Sequence, residues 1–158
     1  MPAGVSFLRV ETAALSACGL STAGALYCWG GNGNGQLGDG TTTAHLTPSP
    51  VTMPPGVGFT DFTLGGAWGC GLAPNGVAYC WGANGNGHLG DGTTTAHLTP
   101  QPVTMPAGER FVELSGDGSG HICGVAASGA LYCWGFNTVG ELGDGTTTTR
   151  LVPTRVAR

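Results

Sequence analysis

Three kinds of residue in this chain have the chemistry to build a reactive site. Six cysteines fall in pairs ten residues apart, at Cys18/Cys28, Cys70/Cys80 and Cys123/Cys133. Paired thiols serve as metal ligands, as a redox couple or as a cross-link. The histidines His45, His88, His97 and His121 and the recurring acids Asp39, Asp91 and Asp144 add candidate bases and ligands. "GNGQLG" (33–38) and "GNGHLG" (85–90) match the glycine spacing of a dinucleotide-binding turn.

What positions these residues is a repeat. "YCWG" begins at Tyr27, Tyr79 and Tyr132, and "LGDGTTT" at Leu37, Leu89 and Leu142, so successive offsets are 52 and 53 residues. The units run Met1–Thr52, Met53–Thr104 and Met105–Arg158. Between Tyr27–Pro54 and Tyr79–Pro106 only Gly31/Ala83, Gln36/His88 and Ser49/Gln101 differ. The third unit drifts, with Phe136, Thr138 and Val139 in the glycine loop and one extra residue in "ELSGDGSGHIC", so it is the expected place for any specialised face. A period near 50 residues belongs to arrays and propellers. Within a unit, runs at Phe59–Gly65, Trp68–Ala73, Val77–Gly82 and Leu98–Thr104 read as short strands bounded by turn residues. No stretch joins 3.6-residue periodicity to helix formers. The expected fold is therefore all-β: three four-stranded β-propeller blades, each sandwiched between neighbours.

Turn chemistry then assigns the cysteines. The loops "TAG", "PNG" and "ASG" place glycine third, as a type I turn followed by a left-handed residue requires. Counting outward in the first unit, Ser21 faces Ala25, Leu20 faces Leu26, Gly19 faces Tyr27 and Cys18 faces Cys28. With Ser21/Ala25 as a bonded pair, Cys18/Cys28 falls on a non-bonded pair, where Cα atoms approach to roughly 4.5 Å. That register favours three disulfides, each closing a loop of about ten residues and contributing roughly 3 kcal/mol in the chain-entropy model. Zinc, the main competitor, prefers C-x2–4-C spacing and would need two more ligands from a neighbouring blade. No C-x-x-C redox motif occurs. Three bridges place the chain in an oxidising compartment, extracellular or periplasmic.

The other candidates read as structure. A dinucleotide fingerprint must open a helix, and here "DGTTT" follows; the spacing also fails at Thr138. Asn32, Asn34, Asn84 and Asn86, with Asp39 and Asp91, lack the ligand order of an EF-hand loop, and the recurring aspartates are expected to bond their own turn backbones. His45 and His97 are repeat equivalents, with Arg150 at that place in the third unit, and look like rim residues. No serine or cysteine has a base and orienter beside it, so no catalytic, metal or cofactor site is expected. A net charge of -4 without lysine sets the chain against nucleic acid. The absence of a long apolar run predicts no membrane span, and "MPAGVSFLRVE" shows no signal peptide.

"LYCWGGNGNGQLGDGTTT" (26–43), "AYCWGANGNGHLGDGTTT" (78–95) and "LYCWGFNTVGELGDGTTT" (131–148), with the leading "CGL" or "CGV", resemble the regulator-of-chromosome-condensation repeat across all three units. The resemblance implies a propeller, typically of seven four-stranded blades, and a binding role. The paired cysteines resemble the family's secreted bacterial branch. Three blades do not close a ring, which normally takes four to eight. Met1-Pro2-Ala3-Gly4 aligns with Met53-Pro54-Pro55-Gly56 and Met105-Pro106-Ala107-Gly108, so Met1 reads as a repeat residue. The expectation is a noncatalytic, protein-binding or self-assembling scaffold: part of a longer array, a six-bladed ring of two chains, or a subunit of an extracellular filament. An inhibitor or ligand binder using mouth loops is the remaining alternative.

Overall fold

The computed structural model describes residues 4–157, and these form twelve short strands with no helix. The first sheet holds β1 (Phe7–Thr12), β2 (Ser16–Ser21), β3 (Leu26–Gly30) and β4 (His45–Pro50). The second holds β5 (Asp61–Leu64), β6 (Trp68–Leu72), β7 (Ala78–Gly82) and β8 (His97–Pro102), and the third β9 (Phe111–Gly116), β10 (His121–Ala126), β11 (Leu131–Gly135) and β12 (Arg150–Arg155). Each is an antiparallel four-stranded meander in sequence order, the form of a propeller blade.

The runs read from the sequence become β5 to β8 with shifted ends. Phe59 lies outside β5 because its amide is bonded to the Gly24 carbonyl of the preceding blade, at 2.8 Å. Beyond β8, Val103 and Thr104 turn away to the Ala78 and Gly90 carbonyls. The additional residue of the third unit widens the turn between β9 and β10, where Ser119 bonds Asp117 through both its amide and its hydroxyl.

The central hairpins have the register that their turns dictate. Ser21 N–H donates to Ala25 O at 2.8 Å and Gly24 N–H to Ser21 O at 3.0 Å; Ala73/Val77 and Ala126/Ala130 repeat the closure. Gly24, Gly76 and Gly129 take φ of 79°, 80° and 81°, the left-handed conformation that a Cβ disfavours. Cys18, Cys70 and Cys123 face Cys28, Cys80 and Cys133 directly, and each pair is joined in a disulfide with its Cα atoms 4.1 Å apart.

Apolar residues collect between blades rather than within one. Cys18, Cys28, Leu37 and Val51 of the first blade pack with Phe59, Phe62 and Trp81 of the second. Cys70, Cys80, Leu89 and Val103 of the second pack with Phe111, Leu114 and Trp134 of the third. Cys18–Cys28 and Cys70–Cys80 are thus sealed at 0% exposure, whereas Cys123 on the outer face of the third blade is only half-buried. Limited treatment with a mild reductant, followed by alkylation and peptide mass analysis, should open Cys123–Cys133 well before the other two. Equal rates at all three would contradict this packing.

Candidate functional site: the glycine loops and the blade joints

Between the third and fourth strands of each blade lies the glycine loop, organised around one buried asparagine. The Asn32 amide donates to Thr43 O at 3.0 Å, Thr41 O at 3.1 Å and Asp39 Oδ1 at 3.2 Å, and its Oδ1 accepts the Leu37 N–H at 2.9 Å. Asn84 and Asn137 repeat the arrangement with Thr95 and Leu89, and with Thr148 and Leu142. Only an amide side chain donates and accepts in this way; an aspartate would set a charge against two carbonyls. Asn32 and Asn84, weighed in the sequence as cation ligands, are therefore loop keystones. Leaving either carbonyl or the amide unpaired in the buried loop would cost about 1–3 kcal/mol.

Asp39 accepts the Thr41 amide and hydroxyl, both at 2.9 Å, and pairs with His45 Nε2 at 2.5 Å. Asp91 does the same with Thr93 and His97, at 2.7 Å to the imidazole, and Asp144 with Thr146 and the Arg150 guanidinium, at 2.6 Å. Burial opposes ionisation of Asp39 and Asp91, but bonds from the Thr41 or Thr93 amide and from His45 or His97 hold both below the usual carboxylate range. The Thr146 hydroxyl and then Arg150 bring Asp144 to about 2. His45, His97 and Arg150 thus share one task, closing the loop onto its aspartate.

The glycines that resembled a cofactor motif are receiving slots for the next blade. Trp81 Nε1 donates to Gln36 O at 2.9 Å, and Trp134 Nε1 to His88 O at 3.0 Å. A Cβ on Gly38 would stand 2.8 Å from the Trp81 nitrogen, and one on Gly90 2.6 Å from that of Trp134. Leu98 lies over Gly35 and Leu151 over Gly87, where a Cβ would come within 2.4 and 2.3 Å of the leucine methyl. Gly40 N–H and Gly92 N–H complete the seam to Leu98 O and Leu151 O at 3.0 and 2.9 Å. Gly33 and Gly85 face open space, and their place is the one that drifts to Thr138. Sequence spacing alone missed the joint because its partners lie 45 and 46 residues apart.

On the inner side, the first strands of the blades converge on an open groove lined by Glu11, Thr63, Leu64, Gly116 and Asp117. Its carboxylates are engaged: Glu11 accepts the Leu64 amide at 3.1 Å and pairs with Arg9, which also binds Asp61 of the next blade. The Arg9 guanidinium sits 5.2 Å from the Phe62 ring centroid, a cation–π contact across the same joint.

His88 is the outlier. It replaces Gln36 at the second joint and is buried beside Trp68, with ring centroids 5.8 Å apart. Gln36 Oε1 accepts the Asn34 amide at 2.9 Å, whereas neither imidazole nitrogen of His88 makes a hydrogen bond. Burial pushes the imidazole pKa down, offset in part by the Ala83 backbone. Folding therefore disfavours the protonated imidazole of His88 while unfolded chain takes up a proton below the ordinary histidine pKa of about 6.5, so this contribution to stability is lost as pH falls through that value. Thermal unfolding of the native chain should drop more between about pH 7 and pH 5 than that of His88→Gln, which restores the first blade's residue. Identical pH profiles would contradict the assignment.

Comparison with known proteins agrees with this architecture. The Regulator of chromosome condensation (RCC1) repeat matches residues 23–70, 75–125 and 128–158. The Arabidopsis thaliana ultraviolet-B receptor UVR8 is 35% identical over 131 residues, covering 83% of this chain and 30% of the receptor. The Homo sapiens E3 ubiquitin-protein ligase HERC2 is 31% identical over 137 residues, covering 87% of this chain and 3% of the ligase. Among solved structures, human WBSCR16 superposes with a TM-score of 0.84 at 23% identity, over 99% of this chain and 41% of that one. Saccharomyces cerevisiae Prp20p, described with its binding to Gsp1p and histones, gives 0.81 at 22% identity over 96% and 38%. The chain spans about a third or less of these curated relatives and about two fifths of the solved chains. The repeat matches three times in tandem over most of the chain, which therefore belongs to the RCC1 repeat family.

Proposed function

We propose that the chain is a noncatalytic, protein-binding scaffold of an oxidising compartment, extracellular, periplasmic or at the cell surface, whose ring is completed by further blades of its own kind. The observation that carries this reading is how the reactive side chains are used. One disulfide staples each blade, and each recurring aspartate is bound inside its own loop with its histidine or arginine. What remains for recognition is a rim of exposed loops. The acidic, lysine-free composition favours protein over nucleic acid as the partner. No helix among the described residues is long and apolar enough to cross a membrane.

The third blade's loop is the distinctive part of that rim, with Val139 83% exposed where the first two blades carry Asn34 and Asn86. The test is to export the chain to an oxidising compartment, count alkylatable thiols, and trap neighbours with a photo-crosslinker placed at the adjacent exposed Thr138. The reading expects no free thiols and a saturable protein adduct lost in Val139→Asp. A folded native chain with six free thiols, or one retained by DNA at low salt with no protein adduct, would contradict it.

A further inference from the structure

Asparagine is followed directly by glycine at Asn32-Gly33, Asn34-Gly35, Asn75-Gly76, Asn84-Gly85 and Asn86-Gly87. Such a pair is prone to modify itself, because with no Cβ to hinder it the glycine backbone nitrogen can reach the side-chain carbonyl of the asparagine. The structure separates these pairs into two groups. Asn34, Asn75 and Asn86 are exposed, whereas Asn32 and Asn84 are each only 1% exposed. Those two are the keystones of the loops that receive Trp81 and Trp134. In the third blade the keystone Asn137 is followed by Thr138, whose branched side chain hinders the same approach.

The folded loop keeps both keystones away from this chemistry. Asn32 Oδ1 accepts the Leu37 amide at 2.9 Å and its side-chain nitrogen is held by the Thr41 and Thr43 carbonyls, so the carboxamide is fixed at the loop centre and cannot turn back onto Gly33. Asn84 is fixed in the same way by Leu89, Thr93 and Thr95. Local opening of the loop releases these restraints together and admits water.

We infer that Asn32 and Asn84 are self-modification sites, shielded by the folded loop, through which loop opening becomes irreversible loss of the blade joint. The deprotonated Gly33 nitrogen attacks Asn32 Cγ, the new C–N bond closes a succinimide ring, and the side-chain nitrogen leaves as ammonia with the proton that glycine lost. Water then opens the ring and leaves aspartate or isoaspartate at position 32; Gly85 acts on Asn84 likewise. One water is consumed and one ammonia released at each site, with no oxidant or cofactor. An aspartate has no donor for the two carbonyls and sets a charge against them, and an isoaspartate adds a backbone atom to the loop. Either product displaces Leu37 and with it the neighbouring Gln36 carbonyl, to which Trp81 donates. Chain that refolds afterwards lacks that joint, so loop opening sets the lifetime of the fold.

Gly33→Ala combined with Gly85→Ala separates this chemistry from the fold. Neither glycine has a positive φ or any atom within 4 Å of an added Cβ, and the third blade already carries Thr138 at that place, so the variant keeps the loop while hindering the attack. Oxidised chain is held in warm, mildly alkaline buffer with and without urea, then refolded, and its peptides are mapped for aspartate and isoaspartate. Without urea Asn32 and Asn84 should keep their amides. In urea both should convert, and the refolded fraction, read from tryptophan fluorescence, should fall in step. The double alanine variant should convert severalfold more slowly at these two positions and hold its refolding yield, while Asn34, Asn75 and Asn86 convert as before. Asn32→Asp should leave the Trp81 Nε1 proton exchanging at least severalfold faster than in the native chain, and Asn34→Asp should leave it unchanged. Conversion of Asn32 and Asn84 in folded chain at the unfolded rate would overturn the shielding. An equal loss of refolding yield in the alanine variant, or native exchange at Trp81 in Asn32→Asp, would overturn the consequence.

Discussion

The structure depends on how closely one blade can approach the next. A four-stranded blade of this size has almost no interior, and its apolar side chains find cover only against a neighbour. The tryptophan joint supplies that cover. Burying an indole of roughly 200 Å² contributes about 5 kcal/mol, against about 1 kcal/mol for its hydrogen bond to a carbonyl. Burial therefore holds the blades together, while the bond fixes their register. Both need glycine at 38 and 90, because any side chain there would occupy the indole's place. The ring stacking of Phe59 on Trp81 and of Phe111 on Trp134 fixes the indole from its other face.

That constraint explains the loop above it. An irregular stretch of more than a dozen residues between the third and fourth strands must still present a carbonyl and two glycines with the accuracy of a packed core. The buried asparagine does this by bonding three segments of its own loop at once, and the aspartate with its histidine or arginine holds the outer rim. The disulfide performs the corresponding task on the hairpin, fixing the sheet face against which the next blade packs. The residues that first suggest catalysis or metal binding are thus used to keep a repeating surface in shape.

Much of this was readable from local chemistry. The three-residue turns fix the hairpin register, and register alone brings Cys18 to Cys28. The Asp-Gly-Thr run signals an aspartate bound to its own turn. The role of Asn32 was not readable, since its carbonyl partners follow at distances that no short motif encodes. Nor was the purpose of the paired glycines, because the tryptophan that needs them belongs to the next repeat. A signal was present even so: the third unit changes Gly85 to Thr138 and Asn86 to Val139, yet keeps Gly140 and Gly143. The positions allowed to change face solvent, and those retained face the slot.

RCC1 relatives and solved structures reach far beyond the stretch that this chain covers, so three blades are one segment of the architecture that the family builds. Within the segment, the claim that the indole-to-loop joint orders the blades is tested most directly by exchange of the indole protons. Amide-resolved NMR in deuterated solvent should show the Trp81 and Trp134 Nε1 protons exchanging orders of magnitude more slowly than that of Trp29 at low concentration. Comparable exchange at all three, with the chain folded and oxidised, would contradict the account.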